Sequence, residues 1–387
     1  MRKVLFIHDG PRWKDKEGIQ YGTSADIELY NRYLYIGDKV EFMMRVFESP
    51  KTDELLNLNA TGLFINEIKA FNRPLLFKNY KKSRKKIIKE VNYADILVIR
   101  LPSTIGSIAL NYAQKIQKPY IVEVVACPWD ALRNHSFLGK LYSVFSRRKL
   151  KKLVAKSEYV IYVTKQFLQK RYPAQHHITN ISNVILKSTP SQNKKIDLYK
   201  NHVNTKQIVI TTMGVVNISY KGQEYVLKAI SKLIDQGYDF IYKIVGGGCQ
   251  TRLLSLVENL NLSDRVIFTG KVSHEEVFTI LDKETYIYIQ PSETEGLPRA
   301  LIEAMSRGCA CISSNAGGMP ELLDDKVIFK SKNVNDLVSK IKYLLHKENL
   351  IEQSERNFKH AKQYKFEVLE KKRQDFYDQF LASINEK

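Results

Sequence analysis

Short apolar runs alternate with amphipathic stretches along most of the chain, most clearly in its second half. Residues 207–213 read as a buried strand. Over 223–236, Val226, Leu227, Ile230, Leu233 and Ile234 share one helical face, and Gly237 supplies a stop. Residues 240–245 form a second strand that runs into Gly246, Gly247 and Gly248. Residues 251–260 predict a helix and 265–268 a strand, and Ser273 with Glu276 makes a capping box that opens another helix. Strands follow at 285–290 and 309–313, with helix-forming residues 299–307 between them and Gly308 as a stop. Strands alternating with helices at this spacing imply a parallel sheet covered on both faces. Ligands in such sheets sit beyond the carboxyl ends of the strands, where Gly214, Gly246, Glu295 and Gly317 all fall.

The first half follows the same logic with longer insertions. Strands are expected at 3–7, 40–46, 95–101, 120–125 and 159–163, with a helix at 24–37. The span 186–195, polar and carrying Pro190, is the best linker. The chain therefore divides into an α/β domain at 1–187, a second at 188–365, and a helix over 366–387. That last helix places Leu369, Phe376, Tyr377, Phe380 and Leu381 on one stripe.

Composition narrows the classes. With 387 residues, 44% hydrophobic and 26% charged, the chain is an ordinary globular protein long enough for two cores. The apolar run after Met1 is too short for a signal peptide, and no stretch approaches the roughly 18 apolar residues of a spanning helix. A cytosolic location is expected. Cys127, Cys249, Cys309 and Cys311 form no disulfide framework, and the scattered histidines suggest no metal site. The net charge of +20 points to an anionic partner: nucleic acid, membrane or substrate.

The candidate chemistry concentrates in PSETEGLPRALIEAMSRGCACISSNAGGMPEL, residues 291–322. Glu295 and Glu303 are separated by seven residues. Gly296 permits a turn, and Pro298 suits the first position of a helix whose free N–H groups and dipole favour a phosphate. A second glycine loop follows at Gly317 and Gly318. This segment resembles the E-x7-E signature of glycosyltransferase family 4, whose members have the GT-B fold and retain anomeric configuration. The resemblance is strong over about 207–323 and looser elsewhere.

The resemblance implies two Rossmann-like parallel-sheet domains facing a cleft, the last helix crossing back to the first. It implies a nucleotide-sugar substrate, UDP- or GDP-linked, and no cofactor. It places Glu295 beside the donor sugar, Glu303 on the ribose and Lys221 on the diphosphate. Gly214, Gly246, Gly247, Gly296, Leu297, Pro298 and Arg299 would complete the donor pocket. Two departures stand out. GVVNISYKG lacks the family's Arg ahead of Lys221, and Arg299 is the candidate substitute. Val125 stands where many members carry a sugar-binding His, so Asp130 or His135 is the candidate replacement. Arg100 faces the cleft or makes a structural ion pair. Gly10, with Gly22, flanks the loop expected after the first strand, on the acceptor side. No D-x-D pair is present, so Lys, Arg and helix dipoles would do the work of a metal.

Two basic clusters complete the picture. Lys81, Lys82, Arg84, Lys85, Lys86 and Lys89 enclose Ile87 and Ile88. Residues 140–156 carry Arg147, Arg148, Lys149, Lys151 and Lys152 among Leu141, Phe145, Leu150 and Leu153, the pattern of a basic amphipathic helix. They favour peripheral contact with an anionic membrane over nucleic acid, for which no module is visible. The family resemblance, taken with these patches, implies transfer of a sugar to a lipid-linked oligosaccharide in capsule, O-antigen or exopolysaccharide synthesis. The alternatives are a nucleotide-sugar epimerase on the same fold and a non-catalytic basic protein that binds lipid or nucleic acid.

Overall fold

The computed structural model describes residues 1–49, 55–71, 78–129, 137–201 and 207–386, the side chains of 137–142 excepted. The first sheet is built from β1 (Lys3–Lys14), β2 (Gln20–Gly22), β3 (Lys39–Glu48), β4 (Leu56–Asn57), β5 (Phe64–Ile68), β6 (Ile96–Leu101), β7 (Tyr120–Val124), β8 (Tyr159–Tyr162) and β9 (His177–Asn180). Its parallel core runs β5-β3-β1-β6-β7-β8-β9, with β2 and β4 added antiparallel beside the tail of β1. The second sheet runs β12-β11-β10-β13-β14-β15 and is parallel throughout. Its strands are β10 (Ile208–Met213), β11 (Phe240–Val245), β12 (Val266–Gly270), β13 (Ile287–Gln290), β14 (Ala310–Ser314) and β15 (Ile328–Phe329). Each sheet is doubly wound. Strand order reverses between β1 and β6 in the first and between β10 and β13 in the second. A crevice opens at such a switch because the connections leave it on opposite faces.

The first domain's helices are α1 (Ser24–Tyr33), α2 (Tyr80–Tyr93), α3 (Thr104–Lys115), α4 (Phe137–Ala155) and α5 (Phe167–Arg171). The second half has α6 (Lys195–Asn201), α7 (Gln223–Ile234), α8 (Thr251–Asn259), α9 (His274–Thr279), α10 (Arg299–Ser306), α11 (Val334–Leu345), α12 (Lys347–Ala361) and α13 (Phe366–Asn385). In α13, Leu369, Phe376, Tyr377 and Phe380 are buried, as their shared stripe requires. Phe376 and Phe380 meet Tyr159 of the first sheet edge-on, and Tyr35 donates to Asp378 at 2.9 Å. The last helix therefore packs against the first domain. Leu186 and Lys365 pair in a bridge, so the two crossings between domains lie side by side.

Several expectations need correction. The first strand does not end at Ile7. After an irregularity it pairs again with β3 through Pro11–Lys14, and Trp13 and Lys14 also pair with β2. Gly10 therefore lies inside β1 and Gly22 at the end of β2, with neither flanking a loop that follows the first strand. Pro298 stands one residue before α10, as its cap, with extended backbone. Helices α11 and α12 carry no counterpart in the pattern reading. The reason in α12 is polar packing: Ser354 donates to Gly308 O at 2.6 Å and Asn357 to Cys309 O at 3.1 Å, both fully buried.

Candidate functional site

The carboxyl ends of β10 and β13 carry the centre of the site. Beyond β10 the chain makes a tight turn over Ser219–Lys221 and passes through Gly222 at φ 78°. A Cβ on Gly222 would stand 2.2 Å from the Pro291 carbonyl, so no other residue fits there. The Glu293 N–H donates to Tyr220 O at 2.8 Å, stitching this turn to the loop after β13. Glu293 is itself held by the Tyr225 hydroxyl at 2.5 Å and by Lys332 at 2.7 Å.

That stitching brings Lys221 Nζ to 2.7 Å from Glu295 Oε1 across 74 residues of sequence. Ser292 Oγ donates to the same carboxylate oxygen at 2.9 Å. Behind Ser292 stands a relay: Gln290 Nε2 donates to Ser292 Oγ at 2.9 Å, and Tyr288 OH donates to Gln290 Oε1 at 2.6 Å. Glu295 is thus oriented by the ammonium in front and by a chain of hydrogen bonds rooted in β13.

Gly214, after β10, lies against Lys221. Gly246, after β11, approaches it so closely that a Cβ would stand 2.2 Å from Gly214 O. Gly214 N–H donates to Val245 O at 2.8 Å and Val216 N–H to Gly247 O at 3.1 Å, so the two glycine loops form one floor. Glu303 projects from α10 with 16% of its side chain exposed, and its Oε1 is 3.5 Å from His274 Nε2 at the start of α9. The Glu303 carboxylate beside it raises the His274 pKa above 6.5. Burial pushes the Tyr288 phenol well up, and the charges on both Glu303 and Glu295 add to that, so both carboxylates act on the end of β13. Arg299 is exposed at the first turn of α10 and has no ion-pair partner among the described residues.

The first domain closes against this floor. A Cβ on Gly296 would stand 2.0 Å from Val125 O, at the end of β7. Leu297 packs with the first domain's core. Gly318 N–H donates to Gly296 O at 2.8 Å, so the second glycine loop braces the first. Glu321 reaches across: its carboxylate accepts the backbone N–H groups of Lys165 at 2.6 Å, Gln166 at 3.1 Å and Phe167 at 2.6 Å, capping α5.

The structure brings together Lys221, Glu295, Gly214, Gly246, Gly247, Gly296, Leu297 and Pro298, with Glu303 and Arg299 on the adjoining helix. Of the first-domain candidates, Arg100 and Gly10 do not join them as free groups. Arg100 makes the ion-pair alternative, 2.7 Å from Glu123 Oε2, with its guanidinium 5.0 Å from the Phe6 ring centre. Burial works against both charges, yet their mutual attraction holds Glu123 below and Arg100 above the usual values. Gly10 packs against Met44 and His8 within β1. Asp130 and His135 lie outside the described residues. Sequence reasoning missed Ser292, His274 and the role of Glu321. Ser292 and Glu321 stood inside the motif, and the Ser273 capping box marked the turn that presents His274.

Two doubly wound sheets facing each other, with the final helix returning to the first, define the GT-B fold. Anabaena HepE, solved with UDP and glucose, shares it: TM-score 0.67 at 15% identity, covering 96% of this chain and 98% of that one. The family model for glycosyl transferases group 1 matches residues 193–363. Protein CapJ of Staphylococcus aureus is 31% identical, over 99% of this chain and 97% of its own. WcaL of Escherichia coli K12, a putative colanic acid biosynthesis glycosyltransferase, is 36% identical over 27% of each chain. The chain belongs to the group 1 glycosyltransferases.

Proposed function

We propose that the protein transfers a sugar, with retention of configuration, from a nucleotide-sugar donor to a lipid-linked oligosaccharide during synthesis of a bacterial surface polysaccharide. The observation that carries the donor reading is the Lys221–Glu295 contact at the β10/β13 switch, 2.7 Å long and rooted in a hydrogen-bond relay. The donor's diphosphate takes the Lys221 ammonium. The α10 amino terminus, with Arg299 beside it, supplies further positive potential in the role a metal has in other transferases. Glu295, released from Lys221, accepts hydroxyls of the donor sugar, and Glu303 accepts those of the ribose. The acceptor hydroxyl attacks from the face that the diphosphate leaves, and the departing phosphate oxygen takes its proton. No protein nucleophile is required. UDP and glucose in HepE and the colanic acid role given to WcaL support the donor class and the pathway class.

Membrane contact rests on the first domain. Lys81, Lys82, Arg84, Lys85, Lys86 and Lys89 of α2 are all exposed while Ser83, Ile87 and Val91 face inward. Arg147, Arg148, Lys149, Lys151 and Lys152 of α4 are exposed likewise, beside Phe145 at 66% exposure. Among the described residues no helix is long and apolar enough to cross a membrane. Attachment at the cytoplasmic leaflet by charge and a few apolar side chains fits these surfaces.

Lys221→Ala and Glu295→Ala test the site. Each should lower kcat/KM by about 100-fold or more, with the thermal midpoint within a few degrees of the parent. Full turnover in both variants, measured as nucleoside diphosphate release with acceptor present, would remove the donor site from this crevice.

A further inference from the structure

Glu303 is not a free carboxylate. Its Oε1 lies 3.5 Å from His274 Nε2, and 16% of its side chain is exposed against 56% for His274. The imidazole is placed by the cap of α9 and by an aromatic neighbour. Ser273 caps α9 through its bond to the Glu276 N–H at 3.2 Å, and Glu276 returns to the Ser273 N–H at 2.8 Å, which fixes His274 at the first helical position. The ring packs on Phe278 at 4.5 Å between centroids. The Arg307 guanidinium, paired with Asp282, lies 5.1 Å from the centre of the Phe278 ring. The ring leans on Phe278 and its Nε2 faces Glu303 on α10.

We propose that His274 is a positioning residue for the donor, holding one oxygen of Glu303 so that the other is presented to the ribose hydroxyls. This rests on the reading of Glu303 given above and deepens it. A glutamate on a helix has several rotamers, and fixing its carboxylate with a neighbouring N–H removes an ordering cost that the ligand would otherwise meet on binding. The same arrangement makes donor affinity depend on pH. Three charged groups bear on the ring: Glu303 and Arg299 from α10, and from the first domain Glu28 on α1, which is itself 3.7 Å from Lys187. Glu303 and Glu28 favour the imidazolium and Arg299 opposes it, and the net direction is upward from 6.5. The charged ring grips Glu303 more firmly than the neutral one. Donor affinity therefore falls as pH rises through this titration.

The test uses the full chain with UDP and GDP as probes, the tighter of the two being carried into calorimetry from about pH 5.5 to 8.5. The parent should lose affinity across this range beyond the slope that the diphosphate's own titration imposes on every variant. His274→Ala should bind about tenfold more weakly at the acid end and keep only the shared slope. His274→Gln, which retains an N–H donor, should recover most of the affinity without the extra pH dependence. A 2′,3′-dideoxy form of the probe should bind the parent and His274→Ala alike. Parent-like affinity and pH slope in His274→Ala would overturn the proposal. Glu303→Ala separates the two layers. If it binds as the parent does, or if neither probe binds the parent, the ribose reading of Glu303 fails; if it weakens binding while His274→Ala does not, only the His274 inference fails.

Discussion

Individual side chains in this protein are constrained chiefly by what lies across the crevice or beneath it. Gly296 is the sharpest case. With Val125 O where its Cβ would be 2.0 Å away, Gly296→Ala must push the signature loop off the first domain. With this loop binding the donor as proposed, a displacement of that size should cost about 100-fold in kcat, with a modest fall in thermal midpoint, measurable by single-turnover transfer and melting curves. His8 is a second case. It lies at the β1/β6 switch, Nδ1 accepting the Gly10 N–H at 3.0 Å, and burial, then the Arg100 charge, lowers its pKa from 6.5 to about 4. The folded state thus prefers the neutral ring. As pH falls below 6.5 the unfolded chain takes the proton first, so stability present above that value is lost progressively down to about 4. At about 1.4 kcal/mol per tenfold in proton affinity, the loss is about 3 kcal/mol. His360, also lowered to about 4 by burial, acts in the same direction. Urea midpoints against pH should fall over this window, and His8→Asn should flatten the fall; an unaltered slope would mean that His8 has no part in it.

At the scale of elements, α2 and α4 flank α3 on one face of the first sheet and turn their basic positions outward. Replacing Arg147, Arg148, Lys149, Lys151 and Lys152 with Glu should abolish co-sedimentation with vesicles containing anionic lipid at low salt. Each lost cation near the surface removes up to about 1 kcal/mol of attraction. Turnover on a short soluble acceptor should persist, and undiminished vesicle binding would place the contact elsewhere. The legibility of elements follows the same physics. β10, β11, β13, β14 and the helices between them announce themselves because they are apolar on both faces or on one clear stripe. The short strands β2, β4 and β9 do not, since pairing with a neighbour, and not their own pattern, makes them strands. α12 is hidden because Ser354 and Asn357 fill core positions with bonded polar groups. Within the site, Lys221 and Glu295 were legible from motif and strand position. The His274 contact was not, because it depends on how α9 and α10 lie against each other, and no periodicity encodes that.

Across the whole molecule, the two domains are joined by more than their linkers. Glu321 lies in the second domain yet caps α5 of the first through three backbone N–H groups, and Lys165 Nζ returns to Gln363 at 2.5 Å. Glu321→Ala should lower kcat about tenfold while nucleoside diphosphate binding, proposed above to rest on the second domain, stays near the parent value. Equal turnover in this variant would show that closure does not depend on the cap. The contact also has a bearing on how such enzymes diversify. A recombinant that joins one relative's front half to another's rear half inherits a seam as well as two lobes. Val125, the backbone of 165–167 and Thr164, which a Cβ on Gly318 would meet at 2.7 Å, would have to travel with Gly296, Gly318 and Glu321 as a matched set. Exchanging acceptor preference by domain grafting should succeed between parents that share this seam and yield soluble but idle hybrids between parents that do not.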